Sequence, residues 1–140
     1  VFGVDAQDFP FRLTSRRLKH VLNSLGLELP ALAKKGTTNA AHMNPDDLEQ
    51  LGLHHGDLIT ITSPRSSLTA VVAAAPDVRR GVVSMAHSWG GASLTDEKVR
   101  DIGAPTNRLV STTDVYDSVT GMVVQSAIPV RVEAAPVVEG

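Results

Sequence analysis

A chain of 140 residues has room for one domain with a single sizeable core. With no cysteine, it carries no disulfide framework, thiolate zinc site, iron–sulfur cluster or cysteine nucleophile of its own. A net charge of −2 argues against a broad basic face for nucleic acid, and no apolar run is long enough to span a bilayer. The chain opens on Val1 rather than methionine, as expected of a piece of something longer, and Asp5 and Asp8 interrupt any leader-like stretch. Phe11 to Thr14 reads as a short strand after Pro10, followed by polar and basic residues from Ser15 to Lys19. Leu22 to Gly26 reads as an irregular loop and Leu29 to Lys34 as a turn or two of helix. Ala40 to Met43 is a short strand after the turn signal at Lys35 to Asn39.

Asn44 to Gly52 carries the clearest local signal. Asn44 is a good N-cap, Pro45 suits the first helical position, Asp46 and Asp47 complement the helix dipole, and Gly52 can take a left-handed C-terminal conformation. A two-turn helix is expected there, capping one end of a barrel. Gly56-Asp57 turns into a β-branched strand from Leu58 to Ser63. Pro64 to Ser67 makes a hairpin turn, and Leu68 to Ala74 returns as the partner strand. Gly81 to Met85 is a further strand, and Ser126 to Glu133 closes the chain with another. Ala86 to Arg108 differs in kind: it holds His87, Trp89, glycines and Pro105, with Thr95 to Ile102 either helical or loop. A loop of that length in a small domain is usually functional. Six or seven short strands with one or two helices suit a small β-barrel.

Five histidines, His20, His42, His54, His55 and His87, give no metal-binding spacing; the adjacent His54-His55 read as turn residues. His20 and His42 stand isolated, and only His87, beside Trp89 and glycines, has a functional setting. Ser24, Ser63, Ser84 and Ser88 lie in no nucleophile elbow, and no glycine-rich nucleotide fingerprint is present. No catalytic residue and no metal ligand is assigned. The loops do hold small polar and cationic groups: Thr14-Ser15-Arg16-Arg17, Asn23-Ser24, His87 to Gly91 and Asn107-Arg108. Arginine forks suit phosphate, asparagine matches a purine or pterin edge, tryptophan can stack, and glycine lets backbone amides approach. Against this stands the plainer reading of Arg16 and Arg17 as solvated charges and Trp89 as core.

The order of these motifs resembles a known family. Phe11 to Arg16 with His20 and Asn23-Ser24 comes first, then Met43-Asn44-Pro45-Asp46-Asp47-Leu48 through Leu51-Gly52-Leu53 to Gly56-Asp57. Ile59, Ile61, Ser63 and Ser66 follow, then Gly81-Val82-Val83 leading to His87, Trp89 and Gly90, and last Asn107-Arg108-Leu109, Thr113-Asp114 and Val130 to Glu133. From Phe11 to Glu133 the chain resembles the C-terminal molybdopterin-dinucleotide-binding domain of the dimethyl sulfoxide reductase family of molybdenum or tungsten oxidoreductases. The resemblance implies a mainly β, double-psi β-barrel (aspartate-decarboxylase-like) with a few short helices. It implies a lead-in over 1–10, the binding domain over 11–133 and a tail over 134–140. The cofactor would be a molybdopterin guanine dinucleotide, its metal carried by the parent protein. Contacts would come from Thr14, Ser15, Arg16, His20, Asn23, Ser24, His87, Ser88, Trp89, Gly90 and Asn107, while Asn44 to Asp57 would be structural. Family members often place a lysine or similar polar group just before the last strand; here that position holds Gln125.

The partner would be the preceding domains of a parent oxidoreductase, with no nucleic acid and no membrane, in the cytoplasm by default. Two rival readings of the same fold are a peptide- or protein-interaction module without cofactor and a self-processing decarboxylase. The second needs a Gly-Ser cleavage turn, which the sequence lacks.

Overall fold

The structure is a computed structural model that describes residues 6–19, 38–87, 89–90, 99–111, 117–124 and 126–136. Six strands close into a barrel: β1 (Phe11–Arg16), β2 (Ala41–Met43), β3 (Leu58–Thr62), β4 (Ser67–Ala74), β5 (Val82–Ala86) and β6 (Ile128–Ala134), in the spatial order β1-β5-β2-β4-β3-β6. Closure leaves none of these strands with an unpaired edge. Helix α1 (Pro45–Leu51), a single helical turn α2 (Val99–Ile102) and a 3₁₀ turn (Thr106–Leu109) complete the described elements. The mainly β barrel with short helices is the expected class. Helical content in 99–102 answers one of the two readings of the long loop, and the 3₁₀ turn is an element the sequence does not signal. The helical segment expected over Leu29 to Lys34 lies outside the described residues.

Alternation along each strand decides what fills the barrel. Phe11 and Leu13 of β1, Ala41 and Met43 of β2, Ile59 and Ile61 of β3, and Val83 and Met85 of β5 belong to one buried cluster. Leu68, Ala70 and Val72 of β4 and Ile128, Val130 and Val132 of β6 complete it. β1 runs on through the polar Ser15 and Arg16 because it pairs in parallel with β5, Arg12 opposite Val82 and Arg16 opposite Ala86. β2 runs antiparallel to β5, with His42 opposite Ser84. The C-terminal ends of β1 and β5 and the N-terminal end of β2 therefore share one end of the barrel.

Helix α1 closes the opposite end. Asn44 accepts a bond from the Asp46 N–H at 2.9 Å, and its Nδ2–H donates to the Val78 carbonyl at 2.9 Å. Gly52 ends the helix at φ +68°, where a side chain would be strained. Leu48 enters the core from this helix. Asp47 does more than complement the dipole: its buried carboxylate accepts from the Gly81 N–H at 2.7 Å and from Arg80 Nε–H at 3.2 Å. The helix is thereby fastened to the entrance of β5.

Candidate functional site

Two loops must leave the same end of the barrel because the strands before them are parallel and adjacent. Thr14, Ser15 and Arg16 end β1, and His87 follows Ala86 at the end of β5. Thr14 and Arg16 lie on the outer face and are half-buried; Ser15 is exposed at the barrel mouth, on the side of Leu13. His87 is half-buried.

The third predicted segment is brought to the same end by a buried polar knot. Asn39, just before β2, is 4% exposed. Its Nδ2–H donates to the Ala86 carbonyl at 2.7 Å and to the Ala104 carbonyl at 2.9 Å. The Ala104 N–H returns a bond to Asn39 Oδ1 at 2.7 Å. One amide side chain thus ties the end of β5 to the segment entering the 3₁₀ turn. The Gly90 N–H adds a bond to the Ile102 carbonyl at 3.0 Å. Two glycines allow the close approach. At Gly90 (φ +79°) a side chain would meet Pro105 Cδ at 2.8 Å; at Gly103 (φ +80°) it would meet Asn39 Oδ1 at 2.5 Å. The far side of the 3₁₀ turn is held by Ser63, whose buried hydroxyl donates to the Leu109 carbonyl at 2.9 Å. Asn107, on this anchored turn, is exposed.

Trp89 is buried, with its ring packed over Gly103 rather than presented to solvent. Among the described residues, its Nε1–H is the one buried side-chain nitrogen or oxygen without a hydrogen-bond partner. A buried donor left unpaired costs about 1–3 kcal/mol, which an acceptor on a bound group would offset.

Of the sequence-predicted contacts, Thr14, Ser15, Arg16, His87, Trp89, Gly90 and Asn107 are set around one end of the barrel. His20, Asn23, Ser24, Ser88 and Gln125 lie outside the described residues. Gly90 uses its missing side chain to pack on Pro105. Asn39 is the residue that sequence reasoning misses; its only signal there is an asparagine ending a turn. His54 and His55 behave as turn residues: His54 Nδ1 lies 3.6 Å from Asp57, and His55 Nδ1 accepts from the Ala74 N–H at 3.2 Å. No group of three or more His, Asp or Glu is placed to hold a metal ion among the described residues. Nor, among them, is any helix long and apolar enough to cross a membrane.

Residues 11–126 match the family described as Molydopterin dinucleotide binding domain. The chain belongs to this family. It is a molybdopterin-dinucleotide-binding domain, and the cofactor-free interaction module is set aside. The chain is similar to a tetrathionate reductase chain of Salmonella typhimurium, 24% identical over 89% of this chain and 14% of that protein. It is also similar to the molybdopterin-containing chain of the arsenate respiratory reductase of Chrysiogenes arsenatis, 28% identical over 84% of this chain and 15% of that protein. It thus spans about a seventh of these relatives, as one domain of a larger oxidoreductase would. The fold is that of part of acetylene hydratase from Pelobacter acetylenicus, with a TM-score of 0.78 at 17% identity over 93% of this chain and 19% of that one.

The molybdopterin-dinucleotide-binding domain has the donor set such a group needs. A phosphate-bearing heterocycle calls for cations, N–H donors and amide edges, which Arg16, Trp89 Nε1 and Asn107 supply at one end.

Proposed function

We propose that this domain holds a molybdopterin guanine dinucleotide at the end of the barrel where β1 and β5 finish. The reading rests on one observation: the parallel pairing of β1 with β5, together with the Asn39 knot, gathers three loop segments far apart in sequence. Arg16 supplies a fork of donors for phosphoryl oxygens, with the Thr14 and Ser15 hydroxyls beside it. Asn107 offers a donor and an acceptor to a purine or pterin edge. Trp89 donates its buried N–H to an acceptor on the bound group, and His87 lines the loop between them. His20, Asn23, Ser24, Ser88 and Gln125 complete the contacts the family resemblance implies.

When bound, the cofactor's molybdenum or tungsten centre supplies the redox chemistry, and this chain binds and orients it. Turnover belongs to the parent oxidoreductase, whose remaining domains are this domain's partner. On this reading the parent works in the cytoplasm and the binding domain extends over 11–133.

The test is metal and guanine content of the parent protein carrying Arg16→Ala or Asn107→Ala. Loss of both metal and guanine, with the variants folded, is the expected result. Unchanged content in both variants sinks the assignment.

A further inference from the structure

Ser63 follows strand β3 and is 3% exposed. Its hydroxyl oxygen accepts from the Arg65 N–H at 3.1 Å and from the Ser66 N–H at 3.3 Å. Its own backbone N–H donates to the Ser66 carbonyl at 2.8 Å. These bonds cap the tip of the β3–β4 hairpin and engage both lone pairs of the hydroxyl. One proton is left. The Ser66 carbonyl, already an acceptor, lies 3.3 Å away, while the Leu109 carbonyl lies at 2.9 Å. The shorter contact takes the proton, 46 positions along the chain. A hairpin cap would be served as well by an exposed hydroxyl; this one is buried and reaches the 3₁₀ turn.

The turn has little to hold it from within. Its backbone bonds run from the Arg108 N–H to the Pro105 carbonyl at 3.1 Å and from the Val110 N–H to the Asn107 carbonyl at 3.2 Å. Short 3₁₀ segments have poor hydrogen-bond geometry, so outside anchors set their shape. Asn39 fixes the entrance at Ala104, and the buried Leu109 side chain holds the exit against the core. Burial of that side chain does not set the rotation of the Leu109–Val110 peptide; the Ser63 hydroxyl does. The peptide is planar, so its carbonyl and its N–H turn together. Ser63 holds the carbonyl, and the N–H holds Asn107. A relay of two hydrogen bonds through one peptide unit thus runs from the hairpin to the exposed Asn107.

We propose that Ser63 is a positioning residue for the cofactor site, setting through the Leu109–Val110 peptide where Asn107 meets the bound dinucleotide. The inference rests on the reading of Asn107 given above and adds to it a residue that touches no ligand. A hydroxyl is required there, because only a group that accepts twice and donates once serves all three partners.

GDP and a free pterin are titrated separately into the cofactor-free parent protein by calorimetry, with thermal unfolding run alongside. Asn107→Ala should weaken one of the two by about tenfold, roughly the worth of one well-placed hydrogen bond, and so identifies the half that Asn107 meets. Ser63→Ala should weaken that same half by about three- to tenfold and leave the other at wild-type affinity. The double variant should bind no more weakly than Asn107→Ala alone, because Ser63 acts through Asn107. Asn44→Ala, which lowers stability at the opposite end of the barrel, should bind both ligands as wild type does. Ser63→Cys, close in size but a weak donor, is read instead if the alanine variant does not fold. Ser63 variants that lose stability with affinity unchanged, or that weaken both ligands alike, overturn the proposal, as do effects of Ser63 and Asn107 that multiply in the double variant. In those cases a loss of affinity in Asn107→Ala leaves the dinucleotide reading standing. If Asn107→Ala weakens neither ligand, the Asn107 contact and this proposal fall together.

Discussion

Replacing Asn39 with alanine removes the knot that joins β5 to the 3₁₀ turn. Three hydrogen bonds vanish, at 2.7, 2.9 and 2.7 Å, and the Ala104 N–H loses its acceptor in a buried setting. At about 1 kcal/mol per bond, plus up to about 2 kcal/mol for the stranded donor, the loss is about 3–5 kcal/mol. That is a large share of a small domain's stability. Urea denaturation measures it: with a slope of about 1.5 kcal/mol per molar, the midpoint falls by about 2–3 M. Trp89, the single tryptophan, packs on Gly103 beside the knot and reports the transition by fluorescence. Asn39→Asp sharpens the test. A carboxylate still accepts from Ala104 but has no donor for the two carbonyls and brings a buried charge, so it should be no milder than alanine. A midpoint shift below about 0.5 M for alanine, or a well-tolerated aspartate, refutes the reasoning.

Gly103→Ala forces a methyl to 2.5 Å from Asn39 Oδ1 and 3.1 Å from Trp89 at φ +80°; a loss of about 2 kcal/mol or more and a red-shifted tryptophan emission should follow. Asn44→Ala removes both the cap on Asp46 and the bond to Val78, lowering stability by about 1–2 kcal/mol in thermal unfolding, while Asn44→Asp should keep the cap alone. Asp47→Asn weakens the contacts to the Gly81 N–H and Arg80; because Arg80 is largely exposed, about 1–2 kcal/mol is expected, most of it from Gly81, and Arg80→Ala should cost less. His42 makes stability depend on pH. Its folded pKa lies below 6.5, so the unfolded chain binds more protons between the two values. The contribution is complete above about pH 6.5 and is lost as pH falls through the lowered value; urea midpoints across that range should rise with pH less steeply in His42→Gln.

Local chemistry makes the α1 segment readable from the sequence. The cap, the proline at the first position and the left-handed Gly52 act within a few residues of one another. The β-branched runs of β3 and β4 and the hairpin between them are equally plain, since their pairing is sequential. Long-range partners are not. Asn39 acts on residues 47 and 65 positions away, and nothing beside it hints at them. Asp47 has the pattern of a dipole-complementing residue because its acceptor role faces Gly81, 34 positions on. The apolar pattern of β1 stops at Thr14, yet parallel pairing carries the strand to Arg16. His42 stands isolated in the sequence for the same reason: only the strand order β1-β5-β2 sets it across from Thr14 and Arg16.

That strand order also separates what keeps the barrel closed from what holds the ligand. α1, Asn44 and the Asp47–Gly81 contact sit where β5 begins, while Arg16, His87 and the Asn39 knot sit where it ends. Damage at the first end should lower stability and leave anion binding to the remaining folded molecules intact. Damage at Asn39 should do both, since the same amide that satisfies the buried backbone also places the turn carrying Asn107. The near-neutral total charge fits this division. A phosphate-bearing group held at one end needs a few local donors such as the half-buried Arg16, where screening is weaker than on an open surface, rather than a basic exterior.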